Sequence, residues 1–102
     1  MRERDIERRL VERVKQLGGE LRKVKWVGRD GAPDRVVMLP QFAFYTEPRA
    51  PAWVELKAPG KAATFPANAH ERKQKREHDR MRKMGQQVFV IDSFEGIEDL
   101  LA

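Results

Sequence analysis

The sequence predicts an α/β fold in which a central mixed β-sheet is flanked by helices, in the order α-β-β-β-α-β-α. Three observations support this prediction. Apolar residues recur at helical spacing near the start, short apolar runs typical of buried strands occupy 36–39 and 88–91, and a long charged segment precedes the last strand. The chain has 102 residues, enough for one modest core, so we expect a single domain over 1–102.

The first half of the chain predicts one helix and two strands. Helical periodicity covers 3–17, where one stripe carries Ile6, Leu10, Val14 and Leu17. Gly18 and Gly19 end this helix. Residues 20–27 alternate loosely and predict a strand, the glycine-rich segment 28–33 predicts a loop, and residues 35–39 form a second strand that Pro40 stops.

The second half predicts a hairpin followed by a helix, a strand and a helix. Residues 42–45 are expected to extend into a hairpin through 46–51, and the strand 52–57 follows. Two prolines and a glycine predict a loop over 58–68. A helix over 69–84, a strand over 87–91 and a short helix over 94–101 complete the order. We expect the strands within 35–57 to pair antiparallel and 87–91 to lie parallel to a neighbour.

Composition narrows the class of protein. The chain has no cysteine, which excludes disulfides and cysteine-based zinc sites. It has no apolar run of membrane-spanning length, and its charged start predicts a helix rather than a signal peptide, so we expect an intracellular protein without membrane contact. The net charge of +5 suits a polyanion such as nucleic acid, although a solvated basic surface would also explain it.

Chemistry is predicted for the strand that contains Trp53, Glu55 and Lys57, which share one face because side chains alternate along a strand. A carboxylate in so apolar a strand needs a partner, and Lys57, a metal ion or both could serve. A second Glu-x-Lys, Glu71 to Lys73, lies in the predicted helix, where positions i and i+2 do not face each other. We therefore expect that copy at the surface.

Asp34 is the predicted companion of Glu55. It opens the strand 35–39, so antiparallel pairing would bring it to the end of 53–57. Two carboxylates ~4 Å apart repel by about 4 kcal/mol at an effective dielectric near 20, and need a cation or a raised pKa. Asp34, Glu55 and the Leu56 carbonyl could hold a Mg²⁺-like ion, and Lys57 would then act on the attacking water or a phosphate. A hairpin-end aspartate beside a surface Glu55–Lys57 pair is the alternative.

The predicted helices add further candidates. The inward line of 69–84 contains Gln74, His78 and Met81, flanked by Met84. Its outward cations suit phosphate contact, although a solvated face is the commoner fate of charged helices. The candidate nucleic-acid contacts are Arg72, Lys73, Lys75, Arg76 and Lys61. Glu3 falls on the apolar stripe of the first helix, either facing the core or merely favouring the helix dipole.

Pro33-Asp34, Glu55-Leu56-Lys57 and Gln74, eleven residues before Gly85, resemble the pattern of the PD-(D/E)XK nuclease superfamily and, more narrowly, of the VRR-NUC domain in its small stand-alone phage and bacterial form. The resemblance covers essentially the whole chain. It implies a restriction-endonuclease-like core, dependence on Mg²⁺ or Mn²⁺, and hydrolysis of DNA in a bacterial or phage-infected cytoplasm. It makes Asp34 and Glu55 metal ligands, Lys57 the catalytic lysine and Gln74 its support.

The same resemblance implies that Glu3, or alternatively Glu7, is the acid of the first helix. It also implies a homodimer that cuts branched DNA such as a Holliday junction. The segment 40–51 is longer and more aromatic than the family's usual turn, which predicts either a dimer surface or a packed hairpin. Two other functions remain open: a non-cleaving nucleic-acid-binding module of the same fold, and a basic interaction domain without a nucleic-acid role.

Overall fold

The elements of the chain follow the predicted α-β-β-β-α-β-α order in a computed structural model, which describes residues 1–40 and 49–102. They are α1 (Glu3–Gln16), β1 (Glu20–Lys23), β2 (Arg35–Met38), β3 (Ala52–Leu56), α2 (Ala69–Lys83), β4 (Gln87–Ile91) and α3 (Phe94–Leu101). The predicted hairpin strand 42–45 and most of the segment 40–51 lie outside the described residues. The elements begin and end close to where the sequence predicts, except that β1 ends at Lys23 rather than at residue 27.

The four strands form one mixed sheet in the order β1-β2-β3-β4. β1 pairs antiparallel with β2, and β2 pairs antiparallel with β3. β4 lies parallel to β3, to which it is joined through the crossover helix α2. The antiparallel pairing of 35–57 and the parallel placement of 87–91 are thus confirmed.

α1 and α3 cover one face of the sheet and enclose the apolar core. Ile6, Leu10 and Val14 are buried, as the helical stripe predicts. They pack with Val54 of β3 and Ile97 of α3, among other aliphatic residues. Because full burial of such a side chain contributes about 1.5–3 kcal/mol, this face supplies most of the stability of the fold.

α2 covers the opposite face and buries polar residues. Gln74 and His78 point inward, as predicted, whereas Met84 is exposed because it lies past the last helical residue, next to Gly85. Gly85 has a φ of +82°, the left-handed conformation that commonly ends helices. No helix within 1–40 and 49–102 has the length and apolarity to cross a membrane.

The connection between β1 and β2 leaves the sheet earlier than the predicted strand 20–27. The Val24 N–H still donates to the Asp34 carbonyl at 2.8 Å, but the Trp26 indole then donates to the Pro33 carbonyl and packs 5.2 Å from the Trp53 ring. Gly31, with a φ of +92°, lies so close to α2 that a Cβ there would sit 3.1 Å from the Lys73 carbonyl oxygen. This close approach fixes the chain just before Asp34.

Candidate active site

Glu55 and Lys57 lie on the face of the sheet that α2 covers. Ala52, Val54 and Leu56 of β3 are buried in the apolar core on the other face, so Glu55, between two of them, points toward α2, and Lys57, directly after the strand, contacts α2 as well. The side chains of Glu55 and Lys57 are each 12% exposed. The alternation predicted for this strand is therefore observed, and it places one carboxylate and one ammonium in a mostly buried setting.

Lys57 is held by two groups from α2. Its Nζ donates to Gln74 Oε1 at 2.7 Å and lies 2.9 Å from Glu71 Oε2. The same Nζ lies 5.2 Å from the centre of the Phe65 ring, within the range of a cation–π contact. Gln74 thus contacts Lys57 directly, in the place where the sequence predicts a supporting residue.

Glu71 is the residue whose role the sequence prediction missed. The prediction that it lies at the surface is wrong: its side chain is 13% exposed and pairs with Lys57. Its second carboxylate oxygen accepts the Ala67 N–H at 2.8 Å. The hydrogen bond from Lys57, followed by that from Ala67, lowers the pKa of Glu71 below its ordinary value of 4.5. Its spacing of three from Gln74, on one helix face, was the available signal.

His78 holds Glu55 in a similar way. Its Nε2 lies 3.2 Å from Glu55 Oε1, and the imidazole is fully buried against the Phe65 ring. The other ring nitrogen, Nδ1, is buried and has no hydrogen-bond partner among residues 1–40 and 49–102. A tautomer with its proton on Nε2 donates to Glu55 and leaves only a lone pair, not a donor, unsatisfied at Nδ1. The sequence predicts that His78 points toward the sheet and the candidate site, but it assigns His78 no role there.

Asp34 reaches the same end of the sheet through its backbone. The register pairs Arg35 with Val54, and its continuation by one residue brings Asp34 opposite Glu55. The Asp34 side chain is 58% exposed and accepts a hydrogen bond from Arg35 Nη1 at 2.9 Å. The strand pairing is as predicted, whereas the Asp34 carboxylate is bonded to its neighbour Arg35.

Carboxylate and carbonyl oxygens, the donor types at this end of the sheet, are the ones that Mg²⁺ prefers. In the described part of the chain, no three side chains of His, Cys, Asp or Glu lie close enough together to form a metal site. Residues 1–40 and 49–102 therefore supply no all-protein cage. Mg²⁺ is commonly bound by one or two carboxylates, with waters and substrate phosphates completing its shell, so Asp34, Glu55 and the Leu56 carbonyl remain a chemically suitable donor set.

Glu7 of α1 lies near the start of β2. Glu7 accepts a hydrogen bond from Arg35 Nη2 at 2.8 Å and lies 3.8 Å from Lys23 Nζ. Arg35 thereby joins Glu7 to Asp34. Glu3 lies one turn earlier, in the first turn of α1, and is exposed rather than turned into the core. Glu7 is therefore committed to structural ion pairs, whereas Glu3 is open to solvent.

The predicted nucleic-acid contacts are exposed on α2 and on the loop before it. Lys73 is paired with Asp30, and Lys75 with Asp79. The other three candidates make no ion pair within the described ranges: Arg72, Arg76 and Lys61. They provide cations that remain available to an anionic partner.

Known proteins resemble this chain along most of its length, although no family model matches it. A protein of Acyrthosiphon pisum secondary endosymbiont phage 1, named "Putative nuclease p44", is 40% identical over 93 residues, which span 91% of this chain and 85% of that protein. A solved structure described as a VRR_NUC domain is 33% identical and matches with a TM-score of 0.70, over 97% of this chain and 92% of its own. The chain therefore belongs to the VRR-NUC domain family.

Proposed function

We propose that this protein is a Mg²⁺- or Mn²⁺-dependent endonuclease that hydrolyses phosphodiester bonds in DNA. The observation that carries the proposal is the placement of Glu55 on β3 and of Lys57 directly after it, both mostly buried and each held by a residue of α2. A carboxylate beside a fixed ammonium can serve metal binding and phosphate recognition together. The nuclease name of the phage relative and the VRR_NUC description of the similar structure support the same chemistry.

The residues of this site would have separate roles. Asp34, Glu55 and the Leu56 carbonyl would hold the divalent ion, which when bound supplies charge neutralisation and a more acidic water. Lys57 would orient the attacking water or donate to a phosphate oxygen, and Gln74 would fix Lys57. The water would lose one proton to solvent as its oxygen bonds to phosphorus, the bond between phosphorus and the 3′ oxygen would break, and that oxygen would take a proton from solvent, leaving 5′-phosphate and 3′-hydroxyl ends. Glu3 is the proposed additional acid from α1.

The proposed substrate is branched DNA such as a Holliday junction, cut by a homodimer in the cytoplasm of a bacterial or phage-infected cell. The basic side chains near the site suit phosphate contacts along the DNA backbone. The exposed cations proposed for this contact are Arg72, Lys73, Lys75, Arg76 and Lys61. One site of the kind described cuts one strand, so two copies would be needed to cut the two strands of a junction.

The test incubates the protein with a four-way junction or a matched linear duplex in Mg²⁺, Mn²⁺ or EDTA. We expect metal-dependent cleavage that favours the junction and falls roughly 10²-fold or more in Glu55→Gln and Lys57→Ala. Lys15→Ala, which removes an exposed lysine of α1, is the matched control and should cleave normally.

Three outcomes would contradict parts of this proposal. Equal cleavage by folded Glu55→Gln and Lys57→Ala would remove the site assignment. Binding without cleavage under all metal conditions would favour the non-cleaving module of the same fold. A monomer at micromolar concentration by light scattering, in the presence of junction DNA, would exclude the paired cut without affecting the chemistry.

A further inference from the structure

We propose that Glu71 is a positioning residue for Lys57, which it orients so that one N–H of the ammonium is presented to DNA. This inference rests on the proposed function, because it concerns how the same site aims its lysine. Glu71 belongs to α2, and what links it to the site is the 2.9 Å contact between its Oε2 and Lys57 Nζ.

The number of donors on Lys57 gives the first argument. A lysine ammonium carries three N–H donors in a tetrahedral arrangement. Gln74 Oε1 occupies one at 2.7 Å, and Glu71 Oε2 lies 2.9 Å away, in position to take a second. Once two donors are held, the direction of the third is fixed. A lysine held by Gln74 alone would still rotate about that single hydrogen bond.

The rigidity of Glu71 gives the second argument. Its Oε1 accepts the Ala67 N–H at 2.8 Å, while its own N–H donates to Asn68 Oδ1 at 2.9 Å. It also lies in the first turn of α2, where the helix dipole favours a carboxylate. Because backbone and side chain are both held, this pair differs from an exposed salt bridge, in which two flexible side chains must be ordered.

The charge of Glu71 gives the third argument. Lys57 is only 12% exposed, and a mostly buried ammonium is costly to leave without a compensating anion. Without the Glu71 charge, Glu55 on the same face of β3 would compete for the ammonium. That competition would turn Lys57 away from DNA and engage the carboxylate proposed to bind metal. Glu71 therefore keeps the two groups of β3 in separate roles.

The test compares Glu71→Gln and Glu71→Asp with Glu77→Gln. Glu77 is a matched control because it lies on the same helix, has the same 13% side-chain exposure, and pairs with Arg29 rather than with a site residue. Since a misplacement of about 1 Å can slow a reaction ~10²-fold, we expect Glu71→Gln to lower kcat roughly 10- to 100-fold. DNA affinity should stay equal or increase, because a negative charge is removed.

Two further comparisons separate positioning from general damage. Glu71→Asp should recover part of the rate, and Glu77→Gln should keep nearly all of it. In a Lys57→Ala background, Glu71→Gln should lower kcat no further, because residues that act through one another are non-additive. A wild-type rate for Glu71→Gln, or an equal loss in the Lys57→Ala background, would overturn the inference.

A readout without cleavage keeps the inference testable if the nuclease proposal fails. In NMR of ¹⁵N-labelled lysine side chains, the ordered ammonium signal of Lys57 should be present in the wild type and in Glu77→Gln, and lost in Glu71→Gln. An unchanged signal in Glu71→Gln would overturn the inference. Absence of cleavage by the wild type would instead contradict the proposed function.

Discussion

The two faces of the sheet differ in what they bury. Toward α1 and α3, β3 contributes Val54 and Leu56 to an aliphatic core. Toward α2, the same strand contributes Glu55 and Lys57, which meet polar groups of the helix. The period of two along one strand thus places the apolar core and the candidate site on opposite faces of the sheet, and we expect a change on one face to affect the other little.

The polar face is stable only because its charged groups have partners. Glu55 contacts His78, and Lys57 contacts Gln74 and Glu71. An unpartnered buried charge would be strongly unfavourable. α2 is therefore both a cover for the sheet and the source of the groups that hold the site, whereas α1 and α3 chiefly exclude water.

The largest expected effect on stability belongs to the apolar face. Leu10→Ala should lower the free energy of unfolding by about 2–5 kcal/mol, because it opens a cavity in the core. The kcat per folded molecule should not change. Urea unfolding and cleavage by the folded fraction measure the two quantities. Val11→Ala, at a partly exposed neighbour, is the control. A loss of kcat per folded molecule in Leu10→Ala would show that the two faces are not independent.

An intermediate effect is expected on the polar face. His78→Leu keeps the approximate side-chain size but removes the hydrogen-bond partner of Glu55, so it should lower stability by about 1–3 kcal/mol. Unlike Leu10→Ala, it should also lower the kcat of the folded enzyme. His70→Leu, an exposed histidine on the same helix, should change neither. Wild-type kcat in His78→Leu would show that this contact does not support the site.

The smallest expected effect on stability comes from lowering the pH, and it involves one carboxyl group on each side of the sheet. A hydrogen bond from Arg13 lowers the pKa of Glu98 between α1 and α3, and one from Lys57 lowers the pKa of Glu71 on the polar face. A carboxyl with a depressed folded pKa stabilises the fold fully above its unfolded value of 4.5, and this contribution is lost as pH falls through the folded value. The thermal midpoint of unfolding should therefore decrease when the pH is lowered below about 4.5.

Glu98→Gln provides the control for the acid experiment. It removes one of the two ion pairs, so its thermal midpoint should depend less steeply on pH than that of the wild type. The Lys57 pair remains in this variant, so some dependence should persist. Identical pH profiles for wild type and Glu98→Gln would show that the Arg13 pair does not contribute to the acid sensitivity.

The sequence predicts the fold well because its signals are local. The stripe on α1, the alternation of β3 and the glycines at element ends each act within a few residues, so the elements follow from them. The prediction for Glu71 is wrong because spacing within a helix describes only pairs inside that helix. It shows that Glu71 and Lys73 do not pair, but it cannot show that Glu71 meets Lys57, which follows β3. The Asp34–Arg35 hydrogen bond likewise depends on side-chain torsions that a register does not determine.

The central claim is that the polar face of β3 binds a divalent ion, and Mn²⁺ titration followed by electron paramagnetic resonance tests it most directly. The wild type should bind Mn²⁺, and Glu55→Gln should bind at least about tenfold more weakly, a loss of about 1.4 kcal/mol. Leu10→Ala, measured where it is folded, should bind like the wild type. Equal Mn²⁺ affinity in the wild type and Glu55→Gln would contradict the account.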